Sequence, residues 1–319
     1  MRISVSRQHV PVIATLVVLV SLYVAAGVSF DGFFSLRVFM NFLGDNAFLG
    51  IVAIGMTYVI ITGGIDLSVG AIVGCTTICA AVLIEEKGLH PLAAFSVLLA
   101  AGVLVGTLHG VLIHKFGLQP FLVTLAGLFL YRGLGLWLSE ESIQADHAFF
   151  DSMYNFRLSV GDGVWLPFTA ILFLTVLVAS SYVLRYTRFG RTVYAIGGDE
   201  QSAVLMGLSV ARTKIGVYAF SGFCAALGGL TFVAYTSAGN ALNGTGLELD
   251  AIAAVVIGGT LLTGGYGSVI GSFFGLLILA VIQTAIIFDG TLSSWWSRIA
   301  TGVLLLLFIL MQRGIQRRK

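Results

Sequence analysis

Long apolar runs separated by short polar breaks dominate the chain. They cover residues 9–28, 42–62, 66–84, 91–114, 120–138, 164–184, 214–236, 250–263, 267–287 and 293–312. A spanning helix needs about 20 apolar residues. The run at 250–263 is too short to span alone and reads as a half-helix or as part of its neighbour. The pattern predicts an all-α, polytopic bundle of about ten transmembrane helices, some broken or short, in one domain over 1–319.

Two polar stretches stand out between the runs. Residues 139–163, SEESIQADHAFFDSMYNFRLSVGDG, are acidic and aromatic and predict a small structured cap. Residues 185–214, RYTRFGRTVYAIGGDEQSAVLMGLSVARTK, form the longest polar stretch. Here Gly197-Gly198 is expected to break the chain. Asp199 is placed to N-cap a short helix over Glu200–Met206, and Gly207 to end it. Ala203 and Met206 are expected on one side of that helix, with Leu205 nearby. A bulky residue at Gly198 is expected to distort the turn. From the residues alone this segment reads equally as a docking lever or as a connector.

Composition agrees with lipid as the solvent. The chain is 58% hydrophobic and 10% charged, against about 25% charged in soluble proteins. Its 40 glycines allow close helix approach. Gly102, Gly106 and Gly110 share one helix face, and Gly70/Gly74 and Gly271/Gly275 repeat the spacing. Cys75, Cys79 and Cys224 lie in apolar runs and do not suggest a disulfide framework. His109 and His114 lack metal-ligand company and read as core or helix-end packing. The apolar stretch after Arg2 and Arg7 is longer than a signal peptide's and reads as an uncleaved first helix.

Charge orients the bundle. With a cytoplasmic N-terminus, the inside holds Arg2, Arg7, Lys115, Arg185, Arg188, Arg191, Arg212, Lys214, Arg313, Arg317, Arg318 and Lys319. The outside holds only Arg37, Lys87 and Arg157, and Arg132 and Arg298 fall within helices. This follows the positive-inside rule. It puts both termini and 185–214 in the cytoplasm, and 139–163 in the periplasm.

Two breaks echo each other. ITGGIDLSVGAIVG (61–74) and LTGGYGSVIGSFFG (262–275) share a threonine and four glycines in register. In the first, Asp66 is either part of a broken helix lining a polar route or a helix cap at the inner surface. Arg132 is an intramembrane charge. It contacts a hydroxylated substrate or pairs with Asp45 or Asp250, or else it snorkels outward. Arg298 beside Trp295 and Trp296 suits an interfacial anchor. Glu248 and Asp250 lack a nucleophile–base set and read as helix N-terminal charges. The candidate lining of a translocation route is Thr62, Gly63, Gly64, Asp66, Ser68, Thr124, Arg132, Asn240, Asp250, Thr263, Gly264 and Gly265.

TRFGRTVYAIGGDEQSAVLMGLSV resembles the cytoplasmic loop of ABC sugar-importer permeases of the ribose, xylose and arabinose type. GMTYVIITGGIDLSVGAIVG and ELDAIAAVVIGGTLLTGGYGSVIG resemble two further hallmarks of that family, in the expected order. DNAFLGIVAIGMTYVI, LSEESI and FDGTLSSWWSRIATG resemble a permease subunit of galactofuranose importers. The resemblance implies a pore-forming subunit of the bacterial inner membrane with no catalytic residues. Its implied partners are a second permease subunit, a periplasmic sugar-binding protein and an ATPase with two fused nucleotide-binding domains. It carries ATPase coupling onto Gly190, Gly197, Gly198, Asp199, Ala203, Met206 and Gly207. ATP and Mg belong to the partner, because this chain has no Gly-rich loop followed by Lys-Ser/Thr. No metal or nucleic acid is expected. A ribose or xylose permease is the neighbouring reading. An ion-coupled transporter often needs paired intramembrane carboxylates, and an intramembrane enzyme needs a nucleophile and base. Neither set is evident.

Overall fold

The computed structural model describes residues 10–161, 163–293 and 295–316. Arg2, Arg7, Arg317, Arg318 and Lys319, five of the cations assigned to the inside, lie outside the described residues.

The chain is a polytopic helical membrane protein. Its first apolar run forms α1 (Val10–Ser29). The second is a bent pair, α2 (Leu36–Asp45) and α3 (Ala47–Ile61), with axes 58° apart. Next come α4 (Val69–Ala81), prolonged by a π-helical turn over Val82–Glu86, then α5 (Pro91–Lys115) and α6 (Pro120–Leu138). Pro91 and Pro120 each occupy the first helical turn, where a missing N–H leaves no bond unmade.

The 139–163 stretch is structured, as expected. It holds β1 (Ile143–Gln144), α7 (Ala148–Asn155) and β2 (Arg157–Gly161), which pairs antiparallel with β3 (Val164–Pro167). After α8 (Phe168–Tyr186) the polar stretch forms α9 (Arg188–Gly198) and α10 (Glu200–Leu205). Then follow α11 (Val210–Thr236), β4 (Ala238–Gly239), α12 (Leu247–Ile257), α13 (Val269–Asp289) and α14 (Trp295–Gln316).

Among the described residues, eight helices are long and apolar enough to cross a membrane, or nine counting the bent pair. The run at 250–263 yields α12, only 11 residues long, the short helix expected among about ten. The passage is still made. Before α12, β4 pairs with β1 on the face where α6 ends. After α12, the chain meets the end of α3 and α9 on the opposite face. The turns on either side of α12 supply the missing length, so α1 starts and α14 ends on one face.

α11 is the central helix, packed against α5, α3 and α4. The α5 glycine stripe makes this possible. A Cβ at Gly102 would stand 2.6 Å from both Ala226 Cβ and Gly222 O, and one at Gly110 would stand 2.6 Å from Ile215 Cα. Such distances exclude any side chain, so the backbones touch.

Candidate functional site

The two echoing breaks meet. Gly63 (φ +80°), Gly264 (φ +84°) and Gly265 (φ +75°) occupy the left-handed region that favours glycine. They turn the chain sharply after α3 and before α13. The Gly265 amide donates to the Ile61 carbonyl across 2.9 Å. A Cβ at Gly264 would lie 2.9 Å from Gly63 N and 3.1 Å from Gly197 O.

Gly197 of α9 is the third partner. A Cβ there would collide with Ile61 O and Gly265 N. Tyr194 Oη donates to Gly267 O at 2.7 Å, and burial pushes that phenol up to about 12. Thus Ile61, Gly264 and Gly265 gather at the end of α9 with Gly63 and Thr263 alongside, while Gly64 lies against Tyr218 and Thr62 donates back to Val59 O.

The polar stretch differs from its sequence reading in three ways. Gly197 and Gly198 do not break the chain but form the last turn of α9, a helix the sequence reading omitted. The glycines serve close approach at Gly197, whereas a Cβ at Gly198 would meet nothing within 4 Å. The Gly198 side therefore has room for a methyl group. Finally, Ala203 and Met206 point apart. Ala203 is buried with Ile196 and Val210, while Val204, Leu205 and Met206 form an exposed apolar tip.

The expected caps are present. Asp199 Oδ1 accepts from Ser202 N at 2.5 Å. That bond from the Ser202 backbone amide holds the carboxyl below its usual range. Gly207 takes φ +74° to end the helix. Glu200 pairs with Lys214 at 2.6 Å, tying α10 to the root of α11. Gly190 packs on the Leu184 carbonyl, and its amide donates to the Thr187 cap at 3.2 Å.

Asp66 is fully buried in the protein and caps the turn that leads into α4. Oδ1 accepts from Ser68 N (3.1 Å) and Ser68 Oγ (2.6 Å), and Oδ2 accepts from Ser221 Oγ (2.8 Å). The side chain pins the first break to α11. Thr124 Oγ1 of α6 donates to the neighbouring Ile65 carbonyl at 3.3 Å. The sequence reading did not single out Ser221, Tyr218 or Tyr131. Tyr131 Oη lies 3.3 Å from His109 Nε2. Polar groups inside apolar runs were the available signal, but which helix faces which was not readable.

Arg132 belongs to a separate cluster. Its Nη1 donates to the carbonyls of Ala241 and, at 3.0 Å, Asn243. This corrects the expected pairing with Asp45 or Asp250: the guanidinium satisfies a turn. Asn240 is in the same turn, its carbonyl accepting from Thr77 Oγ1 at 2.8 Å. Asp250 lies in the first turn of α12 and joins neither cluster. Arg298 stacks over Trp295, 5.1 Å from the ring centroid.

Residues 38–309 match the family described as branched-chain amino acid transport system / permease component. The chain belongs to this permease family. The permease is 48% identical over 309 residues to the inner membrane ABC transporter permease protein YjfF of Escherichia coli K12, covering 97% of this chain and 93% of that one. It is 36% identical to the fructose import permease protein FruG of Bifidobacterium longum, over 97% and 92% of the two chains. The ribose import permease protein RbsC of Escherichia coli K12 is also 36% identical, over 89% and 88%. No solved structure matches. Family and apolar helices together make it a protein of the bacterial inner membrane.

Proposed function

We propose that this permease is the pore-forming subunit of an ATP-driven importer that moves galactofuranose from periplasm to cytoplasm. Sugar as cargo is supported by the ribose and fructose import permeases among its relatives. Galactofuranose rests on the resemblance at DNAFLGIVAIGMTYVI, LSEESI and FDGTLSSWWSRIATG. A second permease subunit completes the pore, a periplasmic protein delivers the sugar, and a two-domain ATPase holds ATP and Mg.

One observation supports coupling through 185–214. Gly197 of α9 sits between Ile61 and Gly265 without room for a side chain. A push on α10 through its exposed tip at Val204–Met206 is relayed by α9 to both breaks at once. A ligand shifts a conformational equilibrium only through differential affinity, so the ATPase supplies the bias by gripping this tip differently in its two states.

The test is uptake by vesicles holding the assembled transporter. Radiolabelled galactofuranose should enter only with internal ATP and added binding protein, and without an ion gradient. Ribose entering faster under the same conditions would reassign the sugar. Uptake driven by an ion gradient alone would overturn the proposal.

A further inference from the structure

A cavity of about 460 Å³ opens on the face opposite α9 and α10. α2 lends it Arg37, Asn41 and Asp45, spaced by four residues along one helix face. The β2–β3 hairpin lends it Arg157 and Trp165, and α11 lends it Tyr235. Three cations were placed between the apolar segments on this face, and two of them line this one cavity.

The cavity has a second chamber. A largely apolar space of about 190 Å³ adjoins it, with Met153, Phe168, Thr169 and Ala234 bordering both and Thr231 in its wall. The deeper chamber is walled by Phe95, Leu99, Leu172, Leu227 and Leu230. Phe168 and Thr169 begin α8, while Ala234 is in the last turn of α11. The polar mouth is therefore at the membrane surface. From Ala234 to Leu227 the chamber runs about 10 Å along α11 towards the membrane interior.

A cationic mouth at the interface over an apolar floor inside the bilayer is the shape of an amphiphile. A free sugar would lose its water against Phe95, Leu99 and Leu172, and the two hydroxyls in the wall, Thr169 and Thr231, already donate to Gly44 O and Leu227 O. An anion without a tail would leave the floor empty. Trp165 and Tyr235 sit at the level where amphipathic rings border headgroups.

We propose that this cavity binds one phospholipid of the outer leaflet, with its phosphate at Arg37 and Arg157 and an acyl chain in the apolar chamber. Guanidinium groups suit phosphate oxygens through paired, charge-assisted hydrogen bonds. The Asp45 carboxyl, beside the Tyr235 hydroxyl, opposes a second negative charge and accepts an ammonium. The lining therefore offers a partner both to the phosphate and to the ammonium of a phosphoethanolamine headgroup.

The test uses the assembled transporter, stripped of lipid in detergent and titrated with phosphatidylethanolamine while retained lipid is counted by native mass spectrometry. One phospholipid per chain should return. The double variant R37Q/R157Q should bind it about tenfold more weakly, as loss of charge-assisted bonds implies. Leu172→Trp, which fills the apolar chamber, should weaken it similarly. Diacylglycerol with the same chains should bind poorly to the unaltered protein, a comparison independent of any variant's folding. Inorganic phosphate should not displace the lipid at equal concentration. Equal retention by all three proteins would overturn the proposal, as would equal binding of diacylglycerol or full displacement by phosphate. Protection of the cavity by purified binding protein in the absence of lipid would reassign it to that partner.

Discussion

The Gly265 amide donates to the Ile61 carbonyl across 2.9 Å, and this bond joins two breaks 204 residues apart in sequence. Ile61 is the last residue of α3 and Gly265 precedes α13. Helix ends leave carbonyls without intrahelical partners, so the bond satisfies a group that burial would otherwise orphan. The echo between 61–74 and 262–275 thus has a physical use: each break completes the other.

Gly197 packs against that bond, and this sets the first prediction. Gly197→Ala would place a methyl group on Ile61 O and Gly265 N. Overpacking of this kind costs about 1–3 kcal/mol. The expected result is a lower melting temperature and ATP hydrolysis that no longer tracks uptake. Gly198→Ala meets open space, so this chain alone should tolerate it with unchanged melting. Uptake and ATPase rate on the same reconstituted preparation separate the two. Equal behaviour of the two variants would show that the close approach at Gly197 plays no part in coupling.

The Asp66–Ser221 bond ties the first break to the central helix, and both side chains are fully buried. Ser221→Ala removes the hydroxyl that donates to Oδ2. An unsatisfied buried acceptor costs about 1–3 kcal/mol. Ser221→Thr keeps the hydroxyl and should recover much of that loss. Thermal melts of the detergent-solubilised complex read both effects. An unaltered melt for Ser221→Ala would mean that the bond does not hold the break.

The order of helices was legible because lipid demands long apolar runs, and the ten runs recur as eight long helices, the bent pair α2–α3 and the short α12. The caps at Asp199 and Gly207 were legible because capping is local chemistry. α9 escaped because its apolar residues, Phe189, Val193 and Ile196, are spread among arginines and glycines over only three turns. Asp66 was left between a broken helix lining a polar route and a surface cap, because position in the run was the only guide to depth. Its burial depends on Ser221, 155 residues away, and no local pattern announces such a partner. Arg132 was left between a substrate contact, an acid partner and an outward snorkel, whereas the turn at 241–243 presents carbonyls that meet its charge.

Arg132 spans two of those carbonyls, so its replacement should loosen the turn before α12. Arg132→Gln leaves at least one of Ala241 O and Asn243 O without its donor, at about 1–3 kcal/mol. Lysine carries the charge but lacks the planar, forked donor set, so Arg132→Lys should rescue only in part. Hydrogen exchange over residues 240–246 should rise in both variants, more in the glutamine one. Loss of sugar uptake with unchanged exchange would instead make Arg132 a substrate contact.

The cap at Asp199 gives a pH dependence with a definite sign. The Ser202 amide bond holds the folded-state carboxyl below its usual range. A group with a depressed folded pKa stabilises the fold above its ordinary value, about 3.9 for Asp. That contribution fades as pH falls through the lowered value. Coupling should therefore be indifferent to this group around neutral pH, and α10 should loosen only in acid. Hydrogen exchange over residues 201–206, compared at matched pH with Asp199→Asn, isolates the effect, because asparagine caps without titrating. Near neutral pH the two proteins should exchange alike. Near about pH 3 the unaltered protein should exchange faster. Asp199→Ala should exchange faster at every pH and lower uptake, because α10 then presents its Val204–Met206 tip from a frayed helix. Glu200→Gln, which removes only the partly exposed pair with Lys214, should change little, as surface ion pairs are worth about 0–1 kcal/mol. A larger loss of uptake from Glu200→Gln than from Asp199→Ala would mean that the anchor to α11, and not the cap, keeps α10 in place.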